Sequence, residues 1–441
     1  MNSFFKKSII FINIVFLMGC SLDKKTGIWT GYKNLESEEN VLIKITKDKN
    51  IIKNEFNPNL RITLKEKAKI NQQWLSSDLN NQNATSHLSL DNDIRKIGKF
   101  KFKRTVRRRA KEPDVLISKD FIIFYDNNGS FFKFDQNSKL KWKKKVYTKK
   151  ERDQVFNTSM VIANKKIFVA DNLGKYFALD LETGEIIWQK SHRVPFNSQI
   201  KTKDNKVYII DTDNTLLCIS FKDGSIIWDL KTENALIKTL KKLSFVMDAN
   251  FIYFVNSLGD ITKADLKTGD LIWQMPTQNT ILKNETNFLK TSDIILNKDS
   301  LYLSNNNTSF YSLDKKTGLI RWIQGINSSY RPIIIDDLIF TISDDGYLVV
   351  MDSNKGNVLR INYLFNRLRK KARRYVSVVG FVIASNKVYV TTNIGKLFIY
   401  DLSTLEINDI YRIERGAEIS EPFVNNNKLY IFKSNAIVVL N

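Results

Sequence analysis

The 441-residue chain has little of what most site chemistry is built from: two cysteines, Cys20 and Cys218, and two histidines, His87 and His192. Two cysteines so placed exclude a disulfide framework, a CxxC redox pair and a zinc site. Only six prolines and 17 glycines exclude a fibrous or low-complexity chain. The sequence offers no nucleophile–base pairing, no Gly-rich phosphate loop and no metal-ligand spacing, so no catalytic residue, metal or cofactor is expected. Its longest apolar stretch near the N-terminus, residues 8–18, is too short to span a bilayer comfortably.

What is present favours strands. Hydrophobic content is 43%, with 28 Phe and 16 Tyr, enough for a large core of aromatic-rich β-structure. The net charge of +23 points to an anionic partner. A Lys-, Asn- and Ile-rich composition accounts for that charge equally well.

The first twenty residues read as a processing signal: Lys6 and Lys7, an apolar run interrupted only by Asn13, then Leu17-Met18-Gly19-Cys20. The last four resemble a bacterial lipobox, which implies that residues 1–19 are a lipoprotein signal peptide and that Cys20 is acylated. Acyl chains would hold the protein to a membrane by burial of methylenes, about 0.8 kcal/mol each. Ser21 in place of Asp after the cysteine points to the outer membrane. Export also removes nucleic acid as a partner.

The heptapeptide SLDKKTG occurs twice, at residues 21–27 and 312–318. The second copy belongs to a recurring pattern, D-x-x-T-G-x-x-x-W, seen in KYFALDLETGEIIW, ITKADLKTGDLIW and FYSLDKKTGLIRW, with variants ending at Trp142 and Trp228. Two later copies, YLVVMDSNKGNVLR and KLFIYDLSTLEIND, lose the tryptophan. The turn anchors are Asp135, Asp180, Ser220, Asp265, Asp314, Asp352 and Asp401, at intervals of 45, 40, 45, 49, 38 and 49 residues. A period in the forties with alternating apolar residues is that of a β-propeller, one four-stranded blade per repeat. In each unit the Asp carboxylate accepts backbone N–H groups, the Gly closes the turn and the Trp lies on the outer strand. Trp142, Trp188, Trp228, Trp273 and Trp322 are therefore expected to wedge against the neighbouring blade.

Seven anchors precede a final stretch that stops at Asn441, 40 positions after Asp401. The eighth blade thus lacks its outer strand, and the N-terminal part of the chain is the donor available to close the ring. KINQQWLSSD, with Trp74, is the expected closing strand. The organisation predicted is a signal peptide at 1–19, a lipidated tether at 20–67 with a local hairpin at 41–52, and an eight-bladed, all-β propeller at 68–441. The first SLDKKTG is then an echo within the tether.

With its lipobox, PQQ-like repeats and closure by an N-terminal strand, the chain resembles the BamB family of the outer-membrane β-barrel assembly machinery. The resemblance implies a non-catalytic scaffold lipoprotein, anchored in the outer membrane and facing the periplasm. It implies as partners the BamA-type barrel subunit, the machinery's other lipoproteins and unfolded outer-membrane proteins, whose strands would pair with a sheet edge. The family's loop between the third and fourth repeats corresponds to KTENALIKTLKKLSF, where Leu236, Ile237 and Lys238 would form the BamA contact. Lys238 replaces the family's Arg. Leu236 and Ile237 read equally well as core of the next inner strand.

Two other classes remain. PQQ-dependent dehydrogenases share the framework, but they resemble longer chains with an adjacent cysteine pair, a calcium site and a catalytic carboxylate. Here Cys218 alternates within LLCIS as a buried thiol would. An envelope lipoprotein binding an anionic surface polymer is the other alternative, motivated by two basic clusters. One is KFKFKRTVRRRAK (99–111). The other is RLRKKARR, with Arg367, Arg369, Lys370, Lys371, Arg373 and Arg374, set in a long interval that projects as an enlarged loop.

Overall fold

The computed structural model describes residues 57, 59–71, 80–91, 94–102, 115–126, 129–234, 239, 241–277, 290–306 and 309–441. They form eight four-stranded antiparallel sheets arranged as the blades of a propeller. Seven blades are contiguous in sequence, at 115–145, 158–191, 196–231, 245–275, 295–324, 333–363 and 378–412. The eighth takes three strands from 423–440, and its outer strand, Lys96–Lys101, pairs antiparallel with Ala436–Leu440. Alternation along each strand puts one apolar set against each neighbouring blade, so the core is a ring of interblade clusters.

The turns between third and fourth strands explain the repeat motif. In the second blade Asp180 Oδ1 accepts from the N–H groups of Glu182 (2.9 Å) and Thr183 (2.8 Å) and from Thr183 Oγ1 (3.1 Å). These donors, the Thr183 N–H foremost, hold the Asp180 carboxyl below its ordinary range. The second SLDKKTG is the same turn in the fifth blade, with Asp314 accepting from Lys316 and Thr317. The first copy, Cys20 and the 41–52 hairpin lie outside the described residues.

Each of the five repeat tryptophans docks on the next blade's turn. Trp142 Nε1 donates to Leu181 O (3.1 Å), Trp273 to Lys316 O (3.0 Å) and Trp322 to Ser353 O (3.1 Å). The turn glycine is where the ring lands: a Cβ added at Gly184, Gly224, Gly269, Gly318 or Gly356 would stand 2.5–2.9 Å from the preceding blade's indole. Glycine is required there twice over, for the approach and for its positive φ.

The closing strand is not the one expected. It lies at Lys96–Lys101, downstream of Trp74, and residues 72–79 are outside those described. An N-terminal strand does close the ring, but it carries no tryptophan: Phe100, 2% exposed, fills the crevice toward the first blade among Phe124, Phe134 and Phe432. The first residues of the 99–111 basic cluster are thus a structural strand, and 103–111 lie outside the described residues.

The tether boundary also shifts, because residues 60–66 are already packed on the propeller. The sixth blade has Arg360 where its predecessors have tryptophan, and the seventh has Leu405 where the second to sixth have glycine. Arg360 donates to Leu60 O and to Thr404 O (2.8 Å), and Ile62 N–H donates to Ser403 O (3.0 Å). Ile62, 4% exposed, joins Leu402, Leu405 and Ile407 in the crevice. Between the seventh and eighth blades, where tryptophan is again missing, Leu88 and Leu90 join Val382, Leu397 and Leu429. One N-terminal segment supplies the wedges that the last repeats lack.

Candidate functional surfaces

Propeller topology gives the ring two faces. The turns after first and third strands share one, which the N-terminal segment crosses. The turns after second strands and the connections between blades share the other.

On the first face the segment runs from the sixth and seventh blades to the axis and back. His87 accepts from Asn386 N–H at Nε2 (3.1 Å) and its Nδ1 faces Glu66 O (2.9 Å), so one of the two histidines serves to fix this segment. Asn71 O accepts from Asn426 N–H in the eighth blade (2.7 Å), whereas Asn81 O accepts from Met247 N–H in the fourth (2.7 Å) and Gln82 O from Leu296 N–H in the fifth (3.1 Å). Asn83, fully buried and at φ 53°, is the pin. Its Nδ2 lies 2.9–3.2 Å from Gln199 Oε1, Ser244 Oγ, Phe245 O and Ile294 O, on the inner strands of three blades or their leading edges. Lys201 Nζ donates to Asn83 Oδ1 (2.6 Å) and to Asn80 O (2.6 Å). The axis is therefore occupied at this face by the chain itself. Asn83→Ala is expected to cost about 1–3 kcal/mol in urea unfolding, because buried partners lose their hydrogen bonds.

The opposite mouth carries an ion cluster that joins the fourth, fifth and sixth blades. Arg331 Nε donates to Asp293 Oδ2 (2.7 Å), and Lys241 Nζ lies 3.9 Å from Asp293 Oδ1. Lys241 also donates to Thr291 O and to Ser329 O (2.6 Å). Burial alone would raise the Asp293 carboxyl; Arg331 and Lys241 outweigh it and hold it low. Burial lowers the Lys241 ammonium, against the pull of Asp293. The arrangement knits the three blades together. Among the described residues no group of three or more His, Cys, Asp or Glu could hold a metal ion. Cys218 is buried, and burial pushes its thiol up to about 11.

A buried carboxyl on this second face sets a pH dependence. Asp171 Oδ1 accepts from the N–H groups of Leu173 (2.8 Å) and Lys175 (3.0 Å), yet burial pushes the carboxyl up to about 6. A folded-state value above the ordinary 3.8 means that the folded form binds this proton more tightly, so stability falls as pH rises through that window. Asp171→Asn is expected to raise stability at neutral pH by about 1–3 kcal/mol and to leave it unchanged near pH 4, read from melting at the two pH values.

The basic cluster at 367–374 is on the same face, in the connection from the sixth to the seventh blade, where Lys370–Arg373 forms a short helix. Arg367, Arg369, Lys370, Lys371, Arg373 and Arg374 are all exposed. Leu236, Ile237 and Lys238 lie outside the described residues. On the rim, outer strands present exposed aliphatic pairs in successive blades: Ile186 with Ile187, Ile226 with Ile227, and Leu271 with Ile272.

Eight four-stranded blades, Asp-capped turns and interblade tryptophans define a β-propeller of the PQQ-like class. Solved structures agree. BamB from Moraxella catarrhalis is 16% identical, with a TM-score of 0.64, over 79% of this chain and 100% of that one. A europium-containing methanol dehydrogenase is 14% identical, with a TM-score of 0.65, over 89% and 91%. The quinohemoprotein alcohol dehydrogenase from Comamonas testosteroni is 12% identical, with a TM-score of 0.64, over 85% and 81%. At such identities these likenesses establish the fold. No curated protein matches the sequence. The family model described as outer membrane protein assembly factor BamB matches residues 127–362, more than half of the chain. The chain belongs to that family.

Proposed function

We propose that this protein is a non-catalytic scaffold of the outer-membrane β-barrel assembly machinery, acylated at Cys20 and held at the outer membrane facing the periplasm. It docks to the BamA-type barrel subunit, alongside the machinery's other lipoproteins, and aids insertion of outer-membrane proteins. The observation that carries this reading is the family match across residues 127–362.

Two features of the chain support it. The blades expose outer strands whose free edges and aliphatic pairs suit an incoming extended segment, the pairing by which sheet edges recognise peptides. Leu236, Ile237 and Lys238 fall in sequence between the third and fourth blades, where the family resemblance puts the docking contact. Depletion of the protein is expected to lower the amount of folded β-barrel protein in the outer membrane. Unchanged barrel levels would count against the assembly role.

A further inference from the structure

The connection at 364–377 is an exposed basic platform rather than a loose loop. Its backbone is held from both sides: Asn393 Nδ2 donates to Tyr375 O (2.9 Å), Ser377 N–H donates to Asn393 Oδ1 (2.9 Å), and Tyr375 and Val376 N–H both reach Ala372 O (3.2 Å). Arg373 turns back, its Nε donating to Leu368 O (2.8 Å) and its terminal nitrogen to Asn366 O. Leu368 and Val376 pack on the interblade core beneath.

Above this base the charge has one sign. Six cations fall within residues 367–374, and among the described residues none of them makes an ion pair. Glu414 of the next connection turns to Ser434 and Lys433 instead. At the edge of the cluster stands Tyr375, 69% exposed, beyond every other exposed large apolar side chain among the described residues. The other short helix, Lys149–Arg152, adds exposed Lys149 and Lys150 on the same face. Among the described residues the N-terminal segment lies on the opposite face.

We propose that the face bearing residues 367–375 rests against the surface of an anionic lipid membrane, with the cations on phosphates and the Tyr375 ring at headgroup depth. Cations alone would suit any polyanion. An exposed aromatic among them, on a hydrogen-bonded backbone, is the composition of a membrane interface, where Tyr is favoured and each Lys or Arg adds to attraction by acidic lipid. The inference rests on the export proposed above, but its test does not involve the assembly machinery, so the two fail separately.

The test is flotation of the full chain carrying Cys20→Ser, so that no acyl chain contributes. Vesicles of phosphatidylcholine alone are compared with vesicles containing phosphatidylglycerol. Binding is expected only to the second. The triple variant Arg369→Gln, Lys370→Gln, Lys371→Gln should lower it on the order of 100-fold, and Tyr375→Ala roughly several-fold. Neither should change the melting temperature, since all four side chains are exposed. Arg373 is kept because it fixes the platform. No binding to either vesicle, or full binding by the triple variant, would overturn the proposal. So would dependence on the cations with no effect of Tyr375→Ala, which would mark a general polyanion site.

Discussion

A chain beginning at Arg95 is expected to melt far below the full-length protein, although it keeps the closing strand. Truncation there removes Ile62, Leu88 and Leu90, each at most 4% exposed, together with the Asn83 pin. Loss of a buried Leu or Ile side chain costs about 2–5 kcal/mol, and three of them approach the whole stability of an ordinary domain, about 5–15 kcal/mol. Because the truncated chain can fail to fold altogether, single variants carry the test further. Ile62→Ala and Leu88→Ala should each cost about 2–5 kcal/mol in urea unfolding. The two should add, since one sits between the sixth and seventh blades and the other between the seventh and eighth. Full stability in all three proteins would mean that the closing strand alone holds the ring.

Gly356→Ala is expected to destabilise the protein by about 2–4 kcal/mol, an unusually large effect for the addition of one methyl group at a turn. Two costs combine. The residue has φ +74°, where an L side chain is strained, and the new Cβ would stand 2.5 Å from the Trp322 ring. The indole cannot retreat without losing its hydrogen bond to Ser353 O and its stacking on Phe310. Trp322→Ala should cost about 3–5 kcal/mol, and the double variant less than the sum, because removing the ring removes the clash. Strict additivity in denaturant unfolding would show that ring and glycine do not meet.

The five tryptophan-bearing hairpins are legible because everything that makes them lies within nine residues: an Asp to cap (Ser220 in the third), a Gly to turn in all but the first, and a Trp to dock. The missing strand of the eighth blade followed from counting. Its donor did not, because the strand KIGKFK turns a single large side chain, Phe100, deep into the core and carries no tryptophan to mark it.

The N-terminal segment was illegible for a physical reason. Leu60 O meets Arg360 at a separation of 300 residues, and Ile62, Asn71, Asn81 and Gln82 engage through backbone groups that every residue possesses. The one clue was the loss of tryptophan in the sixth and seventh repeats, which announces vacant crevices without saying what fills them. The basic platform was readable from composition and spacing. The Lys241, Asp293 and Arg331 cluster was not, since its members are scattered over three repeats and join only at the axis.

The most direct test of the account is affinity capture of the full-length protein from the cells that make it, with mass spectrometry of what co-purifies. The account predicts recovery of the BamA-type barrel subunit and its partner lipoproteins, reduced when Leu236, Ile237 and Lys238 are replaced. Recovery of no barrel-assembly component, with a redox cofactor or an envelope polymer bound instead, would leave the propeller intact and contradict the function.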